Sequence, residues 1–385
     1  MRIEAIDYLR GLVMVLMVID HAREYANLPA VSDPVDLTQV SPALFFTRWL
    51  AHFCAPVFVL LAGVSARLLI AKGRDRNAVA QQLWRRGLVL IALEFTVLWL
   101  AWTFSLQWKL FYMQVIWVLG VGMILLSGLI YWPIRLVGLW GALLVFSHNL
   151  LDGVRFAPET AAHYWWSILH QKNVLPLGGG YAVRTTYPLI PLVGVMALGY
   201  CLGALYEARH SATQRQRMLL RLGSAALALF LLLRLFNLYG ESNDFEPQSN
   251  ALLTLMSLLN VTKYPTSLQF LLMTLGPALW ALALFERMKS GALSAVVTIG
   301  RVPMFYYLAH LYLLHALALL MALLAGHRWE GFDFKAKITG LPSSFGFPLR
   351  GVYVFSAITI TLLYPLCRRY DQWRRGSQSL IARYL

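Results

Sequence analysis

Apolar residues along this chain come in blocks of about twenty, unlike the short one-sided stripes of soluble helices or the alternation of strands. A backbone in hydrocarbon must satisfy its hydrogen bonds within its own segment, which leaves helices as the natural way to cross. The pattern therefore predicts an all-α, polytopic membrane protein, a bundle of about ten transmembrane helices in a single integral-membrane domain over residues 1–385. The expected spans are 7–26, 43–70, 84–104, 110–130, 133–150, 186–206, 219–239, 266–286, 294–325 and 350–368.

Charge adds an orientation. One set of connections carries Arg67, Lys72, Arg74, Arg76, Arg85 and Arg86, then Arg135, then Arg209, Arg215, Arg217 and Arg221, then Arg287 and Lys289, and finally Arg368, Arg369, Arg374 and Arg375. The opposite set is sparser in bases and holds Glu241, Asp244 and Glu246. By the positive-inside rule both termini are cytoplasmic. The net charge of +15 thus reads as a topology signal, and nucleic acid is excluded as a partner. The first block lacks the cleavage site of a signal peptide and carries Asp7 and Arg10 where such a peptide is apolar, so it reads as a retained helix. Cys54, Cys201 and Cys367, odd in number and within apolar blocks, imply packing, not a disulfide framework.

Four segments opposite the basic set, 27–42, 151–185, 240–265 and 326–349, exceed what a connection needs. They read either as caps over an outward-opening site or as ordinary connectors. The Gly178–Gly179–Gly180 run reads as a turn with no strand signal before it. No internal repeat suggests the two-fold build of many carriers.

The polar residues inside the blocks carry the candidate chemistry. In "IDYLRGLVMVLMVIDHAREY" (residues 6–25), Asp7, Arg10, Met14, Met17 and His21 follow spacings of three and four and share one helix face. Charges in a span face the bundle interior and find partners, so this stripe is expected to point inward. Asp7 and Arg10 can pair near the cytoplasmic end, either as an anchor or as part of a site. His21 lies about 16 Å further along and reads as a candidate base. Asp20 points about 100° away from it, which leaves only an indirect contact.

In the second span His52 is placed to meet His21, and Pro56, Gly63, Ser65 and Ala66 allow a bend and close contact. In "GRVPMFYYLAHLYLLH" (300–315), Arg301 and His310 fall about 180° apart on a continuous helix, a phase that Pro303 can change. His310 and His315, five apart, diverge. No histidine pair has zinc-helix spacing, so no metal is expected, and no nucleotide loop or nucleophile elbow is present.

These strings, with "RWLAHFCAPVFVLLAGVSA" (48–66) and "YPLIPLVGVMALGYCLG" (187–203), resemble the family related to the catalytic domain of heparan-α-glucosaminide N-acetyltransferase, within a wider group of transmembrane acyltransferases. The resemblance implies transfer of an acyl group, acetyl above all, from cytoplasmic acyl-CoA to an extracytoplasmic acceptor. Arg10 with Asp7, Arg85, Arg86 and Arg301 would then hold the CoA phosphates, and His21, His52, Asp20 and His310 become the catalytic candidates. In lysosomal relatives the histidine held to be catalytic lies in the loop after the corresponding span. Here 22–42 contains no histidine, so that role passes by analogy to His21 or His52.

The expected acceptor is an amine or hydroxyl of a bacterial envelope glycan or lipid-linked sugar, the expected setting the bacterial inner membrane, and a homodimer is allowed. Two other classes stay open: a proton-coupled transporter using His21, His52 and His310 as a relay, and a scaffold whose polar groups specify packing.

Overall fold

The computed structural model describes residues 3–28, 36–37, 39–288, 291–334, 339–377 and 379. Lys289 and parts of the 27–42 and 326–349 segments lie outside the described residues. Helices dominate: α1 (Glu4–Ala26), α2 (Pro42–Ala71), α3 (Arg76–Thr103), α4 (Val115–Leu129), α5 (Ile134–Leu151), α6 (Leu189–Tyr206), α7 (Ala212–Leu235), α8 (Leu268–Phe285), α9 (Ser294–Arg301), α10 (Pro303–Leu324) and α11 (Leu349–Gly376). Eight of them, all but α1, α4 and α9, are long and apolar enough to cross a membrane. The chain is an all-α polytopic membrane protein, and one continuous apolar core joins its helices.

Two places depart from the hydropathy pattern. The expected span 110–130 begins as a strand, β1 (Leu110–Met113), and becomes helical only at Val115. It pairs in parallel with β3 (Tyr181–Thr185), which also pairs antiparallel with β2 (Asn173–Gly178), giving the order β1-β3-β2. Leu110–Met113 is as apolar as the helix it precedes, so hydropathy cannot divide the two. The expected turn at Gly178–Gly180 is the loop of this hairpin. All three glycines have positive φ (82°, 58° and 79°), which a side chain would strain.

The expected span 294–325 is two helices. Pro303 offers no N–H to the preceding turn and disfavours helical geometry at Val302, which sits at φ −124°, ψ 50°. The break frees Arg301 and His310 from the phase of one continuous helix.

Helix α1 lies at the centre, against α2 and α8 to α11. Its crossing with α9 is made by two glycines: a Cβ on Gly11 would collide with the Val296 carbonyl, and one on Gly300 with the Asp7 carbonyl. Backbone therefore meets backbone where Asp7, Arg10 and Arg301 are displayed. At this end, called the basic end, α1 starts and α11 finishes. There Arg67 Nε donates to Glu207 (2.7 Å), and Arg215 Nε donates to Glu286 (2.6 Å). The opposite, sheet end carries β1–β3 and the loop before α8. That loop is held by Glu241, which accepts from the Thr262 N–H and the Ser267 hydroxyl, both at 2.8 Å.

Candidate functional site

Two cavities meet inside the bundle. The one at the basic end has a volume of about 240 Å³ and is lined by Arg10, Arg86, Arg301 and Arg374, with Ser65, Gln82 and an apolar wall. Among the described residues no carboxylate lines it. The one at the sheet end, about 300 Å³, is lined by Asp20, His21, Glu24, Arg48, Lys172, Arg184 and Lys263 among others. Phe58, Val115 and Tyr307 line both, and so form the partition between them.

At the basic end the arginines differ in how they are tied. Arg10 reaches Asp7 Oδ1 (3.3 Å), the Gly300 carbonyl (3.3 Å) and Ser65 Oγ (3.1 Å), which fixes it between α1, α9 and α2. Arg301 lies 3.9 Å from Asp7, 3.6 Å from Glu4 and 4.0 Å from Asp371. The Nε of Arg86, like that of Arg301, is buried and meets no hydrogen-bond acceptor among the described residues, but Arg86 has no ion pair within 4.0 Å there either. A buried guanidinium N–H without a partner is costly, so the cavity is built to receive an anion or a strong acceptor. Arg85, the neighbour in sequence, is exposed and lines neither cavity, because successive helical positions turn about 100°.

At the sheet end His21 Nδ1 lies 2.7 Å from His310 Nε2, the rings stacked at 5.0 Å. His310 Nδ1 lies 2.9 Å from the Tyr306 carbonyl. A carbonyl only accepts, so His310 carries its proton on Nδ1. A neutral His310 then accepts at Nε2 from His21 Nδ1–H, and the Nε2 of His21 keeps its lone pair. Trp102 meets the His21 ring edge-on at 5.0 Å.

Of the two other expected members, Asp20 lines the same cavity as His21 and His52 does not. Asp20 bonds Arg23 (3.2 Å) and Arg48, so its carboxylate is spent on ion pairs. His52 does not meet His21. Its ring faces Phe270 on α8, with centroids 5.3 Å apart, and it lines neither cavity, because the 3-10 turn at Ala51–Phe53 resets the phase of α2.

The structure also brings in residues that sequence reasoning passed over. Arg374 belongs to the basic cavity because α11 continues as a helix past its apolar part. Lys172, Arg184, Lys263 and Tyr264 come from the hairpin and the loop before α8. Both lysine ammonium groups stand over the Tyr264 ring, at 5.5 and 5.1 Å, and Arg184 stands over Tyr112 at 5.8 Å. Burial alone would raise the Tyr264 pKa. Lys263 and Arg48 outweigh it and hold the phenol below the ordinary tyrosine value.

Residues 2–235 match the family described as heparan-alpha-glucosaminide N-acetyltransferase, catalytic. The chain belongs to that family. No curated protein sequence matches it. In this N-acetyltransferase-family chain the matched part supplies Asp7, Arg10, Asp20, His21, Arg48, Arg86, Lys172 and Arg184. Lys263, Arg301, Tyr307 and Arg374 follow it in sequence yet line the two cavities, and His310, also beyond it, meets His21.

Proposed function

We propose that the protein transfers an acetyl group from cytoplasmic acetyl-CoA, through the bundle, to an amine or hydroxyl of an extracytoplasmic sugar. The observation that carries this reading is the pair of abutting cavities, one lined by four arginines and the other by His21, which is backed by the buried His310, with Phe58, Val115 and Tyr307 lining both.

In this reading the basic end faces the cytoplasm, as the loop charges require. Arg10, Arg86, Arg301 and Arg374 take the phosphates of CoA at the mouth. Arg86 brings an N–H that otherwise has no acceptor. The pantetheine arm runs toward Tyr307 and brings the thioester to the partition. On the far side the His21 Nε2 lone pair removes the proton from the acceptor as its nitrogen or oxygen attacks the thioester carbon. The new C–N or C–O bond forms, the C–S bond breaks, and the proton passes from His21 to the departing CoA sulfur. The His310–Tyr306 carbonyl pair holds the tautomer that leaves Nε2 available. Tyr307, in the wall shared by both cavities, is placed to donate its hydroxyl proton to the thioester oxygen.

A relay for proton-coupled transport would use the same histidines, but a carrier has no need of an arginine-lined CoA cavity. The test is retention and turnover of acetyl-labelled CoA by the detergent-purified full chain, with folding of each variant checked by thermal stability. His21→Ala is expected to bind acetyl-CoA but lose roughly 10²–10⁴-fold in turnover, and Arg10→Ala to bind poorly. Folded wild type that ignores acetyl-CoA would overturn the reading.

A further inference from the structure

The sheet-end cavity carries more positive charge than the transfer of an acetyl group to a neutral sugar requires. Of its lining bases, Arg48 is matched by Asp20. Glu24 is taken by Arg23. Lys172, Arg184 and Lys263 have no carboxylate within 4.0 Å among the described residues. They come from three separate pieces of chain, the residue before β2, β3 itself and the loop before α8, and converge on two tyrosine rings.

Lys263 is 9% exposed and lines the cavity, so most of its side chain is held in the cavity wall. A lysine buried without an acid is unfavourable in the free protein and becomes favourable only when an anion arrives. The depressed Tyr264 phenol reports the same positive field. His21 lines this same cavity of about 300 Å³, so a group on the lysines and a nucleophile at His21 can belong to one sugar-sized molecule. Three cations without an ion-pair partner within 4.0 Å among the described residues suit a multiply charged group better than a single carboxylate.

We propose that the acetyl acceptor is a phosphorylated sugar, its phosphate held by Lys172, Arg184 and Lys263 while its amine or hydroxyl lies against His21. This rests on the acetyltransferase reading above and adds the class of acceptor. A sugar monophosphate and a lipid-linked sugar pyrophosphate share this chemistry.

The test compares acetyl transfer from labelled acetyl-CoA to glucosamine, glucosamine 1-phosphate and glucosamine 6-phosphate by the detergent-purified full chain. Alongside it, thermal stabilisation by inorganic phosphate and by pyrophosphate is measured against chloride at matched ionic strength. A phosphorylated sugar is expected to exceed glucosamine by about ten-fold or more in kcat/KM, mainly through KM. Lys172→Gln, at an exposed position, and Lys263→Gln are each expected to pull that ratio toward one, and Lys263→Arg to restore it.

Where none of the three sugars is acetylated although acetyl-CoA binds, the anion shift decides. Stabilisation by phosphate or pyrophosphate that Lys172→Gln abolishes supports the proposal, and its absence overturns it. Stronger stabilisation by pyrophosphate points to a lipid-linked acceptor, and equal stabilisation to a monophosphate. Equal use of all three sugars overturns the phosphate assignment alone. Failure to bind acetyl-CoA overturns the acetyltransferase reading beneath it.

Discussion

At the scale of single residues, Arg86 and His310 make opposite kinds of contribution. Arg86 Nε is a buried donor with no acceptor among the described residues, a cost of about 1–3 kcal/mol that only a bound acceptor relieves. Arg86→Met is therefore expected to raise the thermal midpoint of the ligand-free protein while weakening retention of labelled acetyl-CoA. A fall in both would show that the guanidinium is structural. In the proposed reading His310 acts through His21, so its substitution by Phe is expected to lower kcat and alter the pH profile of transfer while acetyl-CoA binding persists.

Asp152, just beyond α5, accepts from His170 Nε2 (2.9 Å) and Asn149 (2.8 Å). Burial alone would raise its pKa, but these bonds more than offset it and leave the carboxyl below the ordinary value. A depressed carboxyl stabilises above the unfolded pKa and loses that contribution as pH falls through the folded one. The stability gap between wild type and Asp152→Asn should thus be full near neutrality and close below about pH 4. Thermal unfolding at several pH values would check this. Of the residues at the site, His21, Arg10 and Asp7 were legible because helical periodicity alone puts them on one face. Lys172 and Lys263 were not, since nothing in a loop sequence says which wall it will meet.

At the scale of elements, the α1–α9 crossing governs the basic cavity. Gly11 and Gly300 each face a carbonyl across it, so Gly11→Val or Gly300→Val must push the helices apart, and a loss of about 1–3 kcal/mol or more is expected. Loss of acetyl-CoA retention should accompany it, because Arg10 bonds the Gly300 carbonyl across the same crossing. Gly128→Ala on α4, where a Cβ meets nothing within 4 Å, should be neutral or mildly stabilising in the same unfolding assay. The break at Val302–Pro303 could be anticipated from proline. That it would aim Arg301 into one cavity and leave His310 against His21 at the edge of the other depended on how α10 docks on α1.

At the scale of the whole molecule, the match to the N-acetyltransferase family ends at residue 235, but the cavities do not respect that limit. Helix α1 packs against α8 to α11, and Lys263, Arg301, Tyr307, His310 and Arg374 all come from the later part. A chain of residues 1–235 alone is expected to show no acetyl-CoA turnover in membranes. Co-expression with residues 236–385 should recover part of it if the two pieces reassemble. Turnover by the first piece alone would place the whole site within the matched segment.

Hydrophobic block length, loop charge and the three-and-four spacing on α1 are local quantities, and each can be read from a string of residues. They determined the membrane-spanning helical class, the expected orientation and the inward stripe from Asp7 to His21. The strand at Leu110–Met113, the turning away of His52, the His21–His310 pair and the cation cluster over Tyr264 depend on contacts between residues far apart in the chain. Only packing decides those contacts, because a helix or loop fixes the direction of a side chain relative to its own backbone and leaves the identity of its partner to the fold.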